Sequence, residues 1–229
     1  MSGREDILGR IREALSVQSD TGVKATAGDG VRDVRDARKF MPPGGETPAE
    51  RLQRFQALAE KLKAEVLTVP DAPAATAALN KLAEEGGWTR IAGHRHPLVE
   101  QVLQGRDPVW TDDRPGVATL EAVDAGVTAC EALIAQTGSV LVTGKGCGGR
   151  ALSVLPPHHV VLATPDQLLP DMLAGYDALR DRYGDNLPSF ISFITGASRT
   201  GDIERILVLG AHGPKRLTIL IVGAFPETD

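Results

Sequence analysis

Cysteine is scarce. The 229 residues hold only Cys130 and Cys147, and no CxxC spacing occurs. An iron–sulfur cluster held by this chain alone, or a disulfide framework, is therefore not expected. Each cysteine reads as a small core or loop residue rather than a reactive thiol. Long apolar runs are also missing. None approaches the roughly 18 residues of a membrane helix, and the start "MSGREDILGRIREAL" lacks the apolar centre of a signal peptide. The expectation is a cytoplasmic protein with no membrane span. Positive charge is not in excess: 25 Lys and Arg face 30 Asp and Glu, for a net charge of -5. That excludes a nucleic-acid partner bound through bulk charge. The chain carries no GxSxG nucleophile elbow, no HExxH zinc motif, no P-loop and no internal repeat.

What is present is an alternation of periods. Ile7, Leu8, Ile11 and Leu15 fall at helical spacing and predict an N-terminal helix. A polar, glycine-containing stretch follows and reads as flexible, so residues 1–46 are separated from an α/β domain at 47–229. Leu52, Phe55, Leu58, Ala59 and Leu62 define a helix opened by Thr47 as N-cap and Pro48 in the first turn. Strands are predicted at "AEVLTVP", "TRIAG", "DPVWTD", "GSVLVTG", "HHVVLATP", "SFISFITG" and "RLTILIVGA". Between them lie helices at "PAATAALNKLAEEGG", "PLVEQVLQG" and "DQLLPDMLAGYDALRDRYG", the last kinked near Pro170, and a short one at "TGDIERILVLG". "GVTACEALIAQTG" fits either state. Alternating strands and helices with continuous apolar runs predict a mainly parallel sheet covered on both faces. Ligands bind beyond the carboxyl ends of such strands. The loops after "SVLV" and "SFISFIT" are the two most glycine-rich polar stretches and are expected to lie there.

Several groups could carry chemistry. In "AQTGSVLVTGKGCGGR", the residues Thr137, Gly138 and Ser139 precede a strand, and Lys145 and Arg150 flank a glycine-rich loop after it. Such a loop can turn backbone N–H groups onto an anion or be a plain hairpin loop. In "ITGASRTGDIERILVLGAHGP", Ser198 and Thr200 can cap the predicted short helix, with Asp202 in its first turn. Arg199, Glu204 and His212 remain for a ligand, and a helix N-terminus beside Arg199 suits an anion. His94 and His96 form an HxH pair that lacks a third metal ligand, so no metal is expected. Glu131 and Glu204 are isolated acids, each either a base or an ordinary surface residue.

The stretches "TGSVLVTG", "RALSVLPPHHVVLATPDQLLPDM" and "FITGASRTGDIERILVLGAHGPKRLTILIV" together resemble the LUD domain family of C-type lactate-utilisation proteins. Gln136 stands where the family has Glu, and Ala197 and Gly201 also depart from its pattern. The resemblance runs from about Thr128 to Val222. It implies a three-layer α/β/α fold similar to the sugar-phosphate isomerase and CoA-transferase group. It implies a part in oxidising L-lactate to pyruvate beside iron–sulfur oxidoreductase-like partner proteins, which would hold the clusters while this chain binds no cofactor. On such a fold Thr137, Gly138, Ser139, Arg150, Ser198, Arg199, Thr200, Asp202, Glu204 and His212 are expected to line a cleft for a small carboxylate or phosphate. The alternative is a stand-alone enzyme for a phosphorylated or CoA-linked substrate. Whether the chain is catalytic stays open at this level.

Overall fold

A computed structural model describes residues 41–203, 206–210 and 213–225, with backbone alone for residues 200–203 and 206–209. The predicted helix around Ile7 to Leu15 lies outside the described residues.

Helix α1 (Pro48–Lys61) starts as expected. The Thr47 hydroxyl accepts from the Glu50 N–H, and the Glu50 carboxylate accepts from the N–H of Thr47. This reciprocal box satisfies two otherwise orphaned donors. Helix α2 (Ala72–Gly86) begins at the Asp71 cap and ends on Gly87 in the left-handed region, φ 61°. Helices α3 (Pro97–Val102) and α4 (Val117–Glu121) are short.

Six strands form an all-parallel sheet: β1 (Ala64–Val69), β2 (Ile91–Gly93), β3 (Val109–Trp110), β4 (Ala125–Ala129), β7 (His158–Ala163) and β12 (Arg216–Val222). Their order is β1-β12-β7-β4-β2-β3. A second sheet, ordered β8-β5-β6-β9, holds β5 (Ala132–Ile134), β6 (Ser139–Thr143), β8 (Leu168–Leu169) and β9 (Ile191–Ile194). Alternate residues of the parallel strands feed two cores, as a period of two requires. Val160, Leu162 and Leu220 pack with Leu79, Val99 and Val102 of α2 and α3. Val161, Ile219 and Ile221 pack with Phe55 and Ala59 of α1 and with Leu133 and Val140 of the second sheet. That second sheet is backed by helix α5 (Met172–Tyr183) through Leu179. The chain is thus an α/β protein with a mainly parallel sheet and flanking helices.

Three local expectations are corrected. The long helix from Asp166 is broken: Pro170 follows β8, and the helix starts only at the Asp171 cap, whose carboxylate accepts from the Ala174 N–H. Proline lacks the N–H a helix interior needs. The short helix at "TGDIERILVLG" is a hairpin of β10 (Arg199–Ile203) and β11 (Ile206–Leu209), paired antiparallel. Its β-branched Thr200, Ile203, Ile206 and Val208 favour strand over helix. The capping roles expected of Ser198, Thr200 and Asp202 disappear with that helix. Finally, β6 and β9 belong to the second sheet and run antiparallel, with Thr143 opposite Ile191 and Val140 opposite Ile194. Their following loops therefore leave at opposite ends.

The turn joining β5 to β6 packs on the last turn of α1. Gly138 has φ 66°, and a Cβ there would stand 2.8 Å from the Ala59 nitrogen. Gly138→Ala is expected to cost about 1–3 kcal/mol, read as a lower urea midpoint with an unchanged slope.

Candidate functional site

From β2 the chain moves outward to β3, whereas from β4 it proceeds the other way to β7. These two neighbouring strands send their connections to opposite sides. Such a switch point opens a crevice at the carboxyl ends of the strands, where α/β sheets bind ligands. The residues following β2 are His94, Arg95 and His96; those following β4 are Cys130 and Glu131. His94 Nε2 accepts the Ala129 N–H at 3.0 Å and so ties the two strand ends together.

Glu131 is the hub of this crevice. It sits at the corner where the chain passes from β4 to β5, and its side chain is only 4% exposed. Oε1 accepts from the Thr143 hydroxyl at 2.5 Å and the Tyr183 hydroxyl at 2.6 Å. Oε2 accepts from Arg182 at 2.7 Å. Thr143 ends β6, and Tyr183 and Arg182 form the last turn of α5, so two elements converge on one carboxylate. With both oxygens engaged by donors, Glu131 anchors the side chains around it. Burial, followed by the hydrogen bond to Glu131, raises the Tyr183 pKa and keeps its phenol protonated.

The glycine-rich loop after β6 closes over these groups. The Gly146 N–H donates to Thr143 Oγ1 at 2.9 Å. A Cβ on Gly146 would collide with Glu131 Oε1, and one on Gly148 would stand 2.7 Å from His94 Cβ. These glycines are needed because the loop passes directly over a carboxylate and an imidazole. Lys145 lies 5.7 Å from the Tyr183 ring centre and donates to the Asn186 carbonyl.

The two histidines present defined donors. His94 Nε2 accepts a backbone N–H, which puts its proton on Nδ1. His96 Nδ1 accepts from the Leu98 N–H at 3.3 Å, which leaves the proton on Nε2. Their ring centres are 5.7 Å apart. Burial, reinforced by His96, pushes the His94 pKa down to about 4 against the pull of Asp112. Burial and then Arg182 lower that of His96, opposed by Glu100 and Glu131. Both rings are neutral N–H donors at pH 7. No three His, Cys, Asp or Glu side chains among the described residues are grouped to hold a metal.

The residues singled out from sequence fall elsewhere. The Ser139 hydroxyl bonds Thr137 and Thr195, both at 2.8 Å. With Gly138 these close a turn beside the end of α1, where β1 begins. Ser139 is separated from Thr143, at the other end of β6, by about 13 Å of extended chain. The backbone of Ser198 bonds Pro214 and Gly210. Its side chain lines a mostly apolar cavity of about 180 Å³ with Ser153, His159, Phe190 and Leu217, at the amino ends of β7 and β12. Arg199 is exposed at the start of β10. Arg150 is exposed and stacks 5.3 Å from the Phe190 ring centre. Thr200 and Asp202 lie on the β10 backbone, and Glu204 and His212 lie outside the described residues. The structure therefore does not gather the described members of this set at the carboxyl edge. It gathers there Glu131 and the HxH pair, together with Thr143, Arg182 and Tyr183, which sequence reading missed. The signal within reach was the position of Glu131 just after an apolar strand.

Both cysteines are buried and unbridged. Burial raises the Cys130 pKa strongly and pushes that of Cys147 to about 12. Neither thiol is expected to react with a thiol reagent at pH 8 until the protein unfolds, when both should. Labelling followed by mass spectrometry reads this directly.

The LUD domain model matches residues 52–222. A protein of Deinococcus radiodurans named Lactate utilization protein C is 34% identical over 107 residues, 46% of this chain and 50% of its own length. The Bacillus subtilis protein of that name is 31% identical over 121 residues, half of each chain. The Geobacillus one is 32% identical over 143 residues, 61% of this chain and 58% of its own. The aligned region thus spans about half the length of these relatives. A crystal structure of a DUF162 family protein from Deinococcus radiodurans is similar in fold, with TM-score 0.61 and 23% identity, covering 78% of this chain and all of that one. On the family match, which takes in well over half of its length, the chain belongs to the LUD domain family.

Proposed function

We propose that this protein serves in L-lactate utilisation, as a cytoplasmic subunit or accessory protein of an iron–sulfur-dependent system that oxidises L-lactate to pyruvate. The observation that carries this reading is its similarity to relatives named Lactate utilization protein C, within a family match over residues 52–222. Oxidation of lactate releases two electrons and two protons. The buried, protonated thiols of Cys130 and Cys147 suit a division of labour in which partner proteins hold the clusters that take the electrons. No described helix is long and apolar enough to cross a membrane.

Deletion of the gene in its source organism tests the role. Growth on L-lactate as sole carbon source is expected to stop while growth on pyruvate continues, and the tagged chain is expected to co-purify with iron–sulfur proteins. Normal growth on L-lactate would contradict it. Turnover of a phosphorylated or CoA-linked substrate by the purified chain alone would favour a stand-alone enzyme instead.

A further inference from the structure

We propose that the switch-point crevice between His94, His96 and Arg182 binds the carboxylate and the adjacent oxygen of a small 2-hydroxy or 2-oxo monocarboxylate, with Glu131, Thr143 and Tyr183 as positioning residues. The ligand class rests on the lactate-utilisation reading; the place rests on geometry.

The crevice is rich in donors, and its central acceptor is engaged. Both Glu131 oxygens are taken. Of the remaining acids nearby, Asp112 accepts the Arg95 N–H at 2.7 Å and Glu100 pairs with Arg95 at 3.7 Å. The donors, in contrast, are partly unused. Arg182 gives one N–H to Glu131 and its side chain is 56% exposed, so the rest of its planar fork faces solvent. A guanidinium edge of this kind matches one carboxylate with two parallel hydrogen bonds. The imidazole N–H groups of His94 and His96 carry the only protons their rings hold, each tautomer fixed by a backbone N–H on the other nitrogen. They suit the hydroxyl or keto oxygen beside the carboxylate. Charge limits the ligand to a low charge of its own: Arg182, Lys145 and Arg95 balance Glu131, Glu100 and Asp112. A phosphate dianion would bring a second negative charge close to Glu131 with nothing further to offset it.

Glu131 acts through Arg182. It holds the guanidinium at the end of α5, and Thr143 and Tyr183 hold the carboxylate. The arrangement is pre-formed before a ligand arrives, which lowers the ordering cost of binding.

The test is calorimetric titration of the full chain with L-lactate, pyruvate, acetate and inorganic phosphate in separate runs. Imidazole NMR signals are followed in parallel. L-lactate or pyruvate should saturate the site, shift the His94 and His96 signals, and bind at least tenfold more tightly than acetate or phosphate. Arg182→Gln, at a half-exposed position, should keep the thermal midpoint and weaken binding at least tenfold, with partial recovery in Arg182→Lys. Ser198→Ala should bind like the wild type. The proposal is overturned by phosphate binding as well as the monocarboxylates, by Arg182→Gln binding normally, or by no saturable binding. Failure here beside lost growth of the deletion strain on L-lactate would leave the lactate role standing. Binding in a chain whose deletion spares that growth would remove the role alone.

Discussion

Between pH 7 and pH 5 the unfolding free energy is expected to fall by about 5 kcal/mol, with a drop in thermal midpoint of roughly 10–20 °C. Three buried histidines produce this. His94 and His158 have pKa values pushed down to about 4 and His159 to about 3, in each case chiefly by burial. His158 Nε2 bonds Thr218 at 2.8 Å and its ring meets Trp88 edge-on at 4.9 Å. His159 Nε2 bonds Thr128 at 2.9 Å, and its buried Nδ1 has no partner to accept the proton that charging would add. In the unfolded chain each ring takes up a proton near pH 6.5. Their stabilisation is therefore complete above about pH 6.5. It is lost as pH falls toward the folded values, because the unfolded state binds protons that the native state refuses. Each histidine contributes about 1.4 kcal/mol per pH unit in that window. Urea unfolding at half-unit pH intervals measures the slope, and His159→Gln should lower it by about one proton. A flat profile from pH 7 to pH 5 would show that these rings charge without cost in the fold.

The second large effect is expected at Glu131. Glu131→Ala removes the acceptor of two hydroxyls and the partner of Arg182. The hydroxyls dominate the cost, since the Arg182 side chain is half-exposed and its ion pair is screened by water. Two hydrogen bonds to a buried charged group give a loss of about 2–4 kcal/mol. Glu131→Gln should behave differently. Its carbonyl oxygen can still accept from Thr143 and Tyr183, so stability should stay within about 1 kcal/mol of wild type. Its amide, however, offers only donors toward Arg182, which is then released. Glu131→Gln is thus expected to be folded yet weak in monocarboxylate binding. Denaturation and calorimetry on the two variants separate these contributions. Equal stability of Glu131→Ala and wild type would show that the hydroxyls find other partners, and the anchoring role would fall.

Much of the fold is legible in the sequence because local patterns decide it. The Thr47 cap, Pro48 in the first turn and the left-handed Gly87 mark helix ends by their own chemistry. Continuous apolar runs such as "VVLA" mark strands buried on both faces. The misreadings arise where tertiary pairing overrides local pattern. "TGDIERILVLG" carries a helix-compatible composition, but its two halves pair as a hairpin. "GVTACEALIAQTG" is ambiguous because it is two strands of different sheets joined at the Glu131 corner.

The site was harder to read for the same reason. Glycine-rich polar loops attract attention in a sequence, and the Thr137–Ser139 turn and Ser198 stand out. Strand order, which sets the switch point, has no local signature. It takes the parallel register of β2, β4 and β7 to bring His94 beside Ala129, and the helix α5 to deliver Arg182 and Tyr183 to Glu131 from 51 and 52 residues away. The loop from Gly144 to Gly149 stands out for its glycines, but what those glycines admit is the protein's own Glu131 and His94.

We place the working site at the carboxyl edge between β2 and β4. Complementation of the deletion strain on L-lactate tests it most directly, with Arg182→Gln and His96→Gln set against Thr137→Ala and Ser198→Ala, all confirmed folded and equally abundant. The first pair should fail to restore growth and the second pair should restore it. Growth with Arg182→Gln and His96→Gln, and none with Thr137→Ala or Ser198→Ala, would move the site to the opposite edge of the sheet.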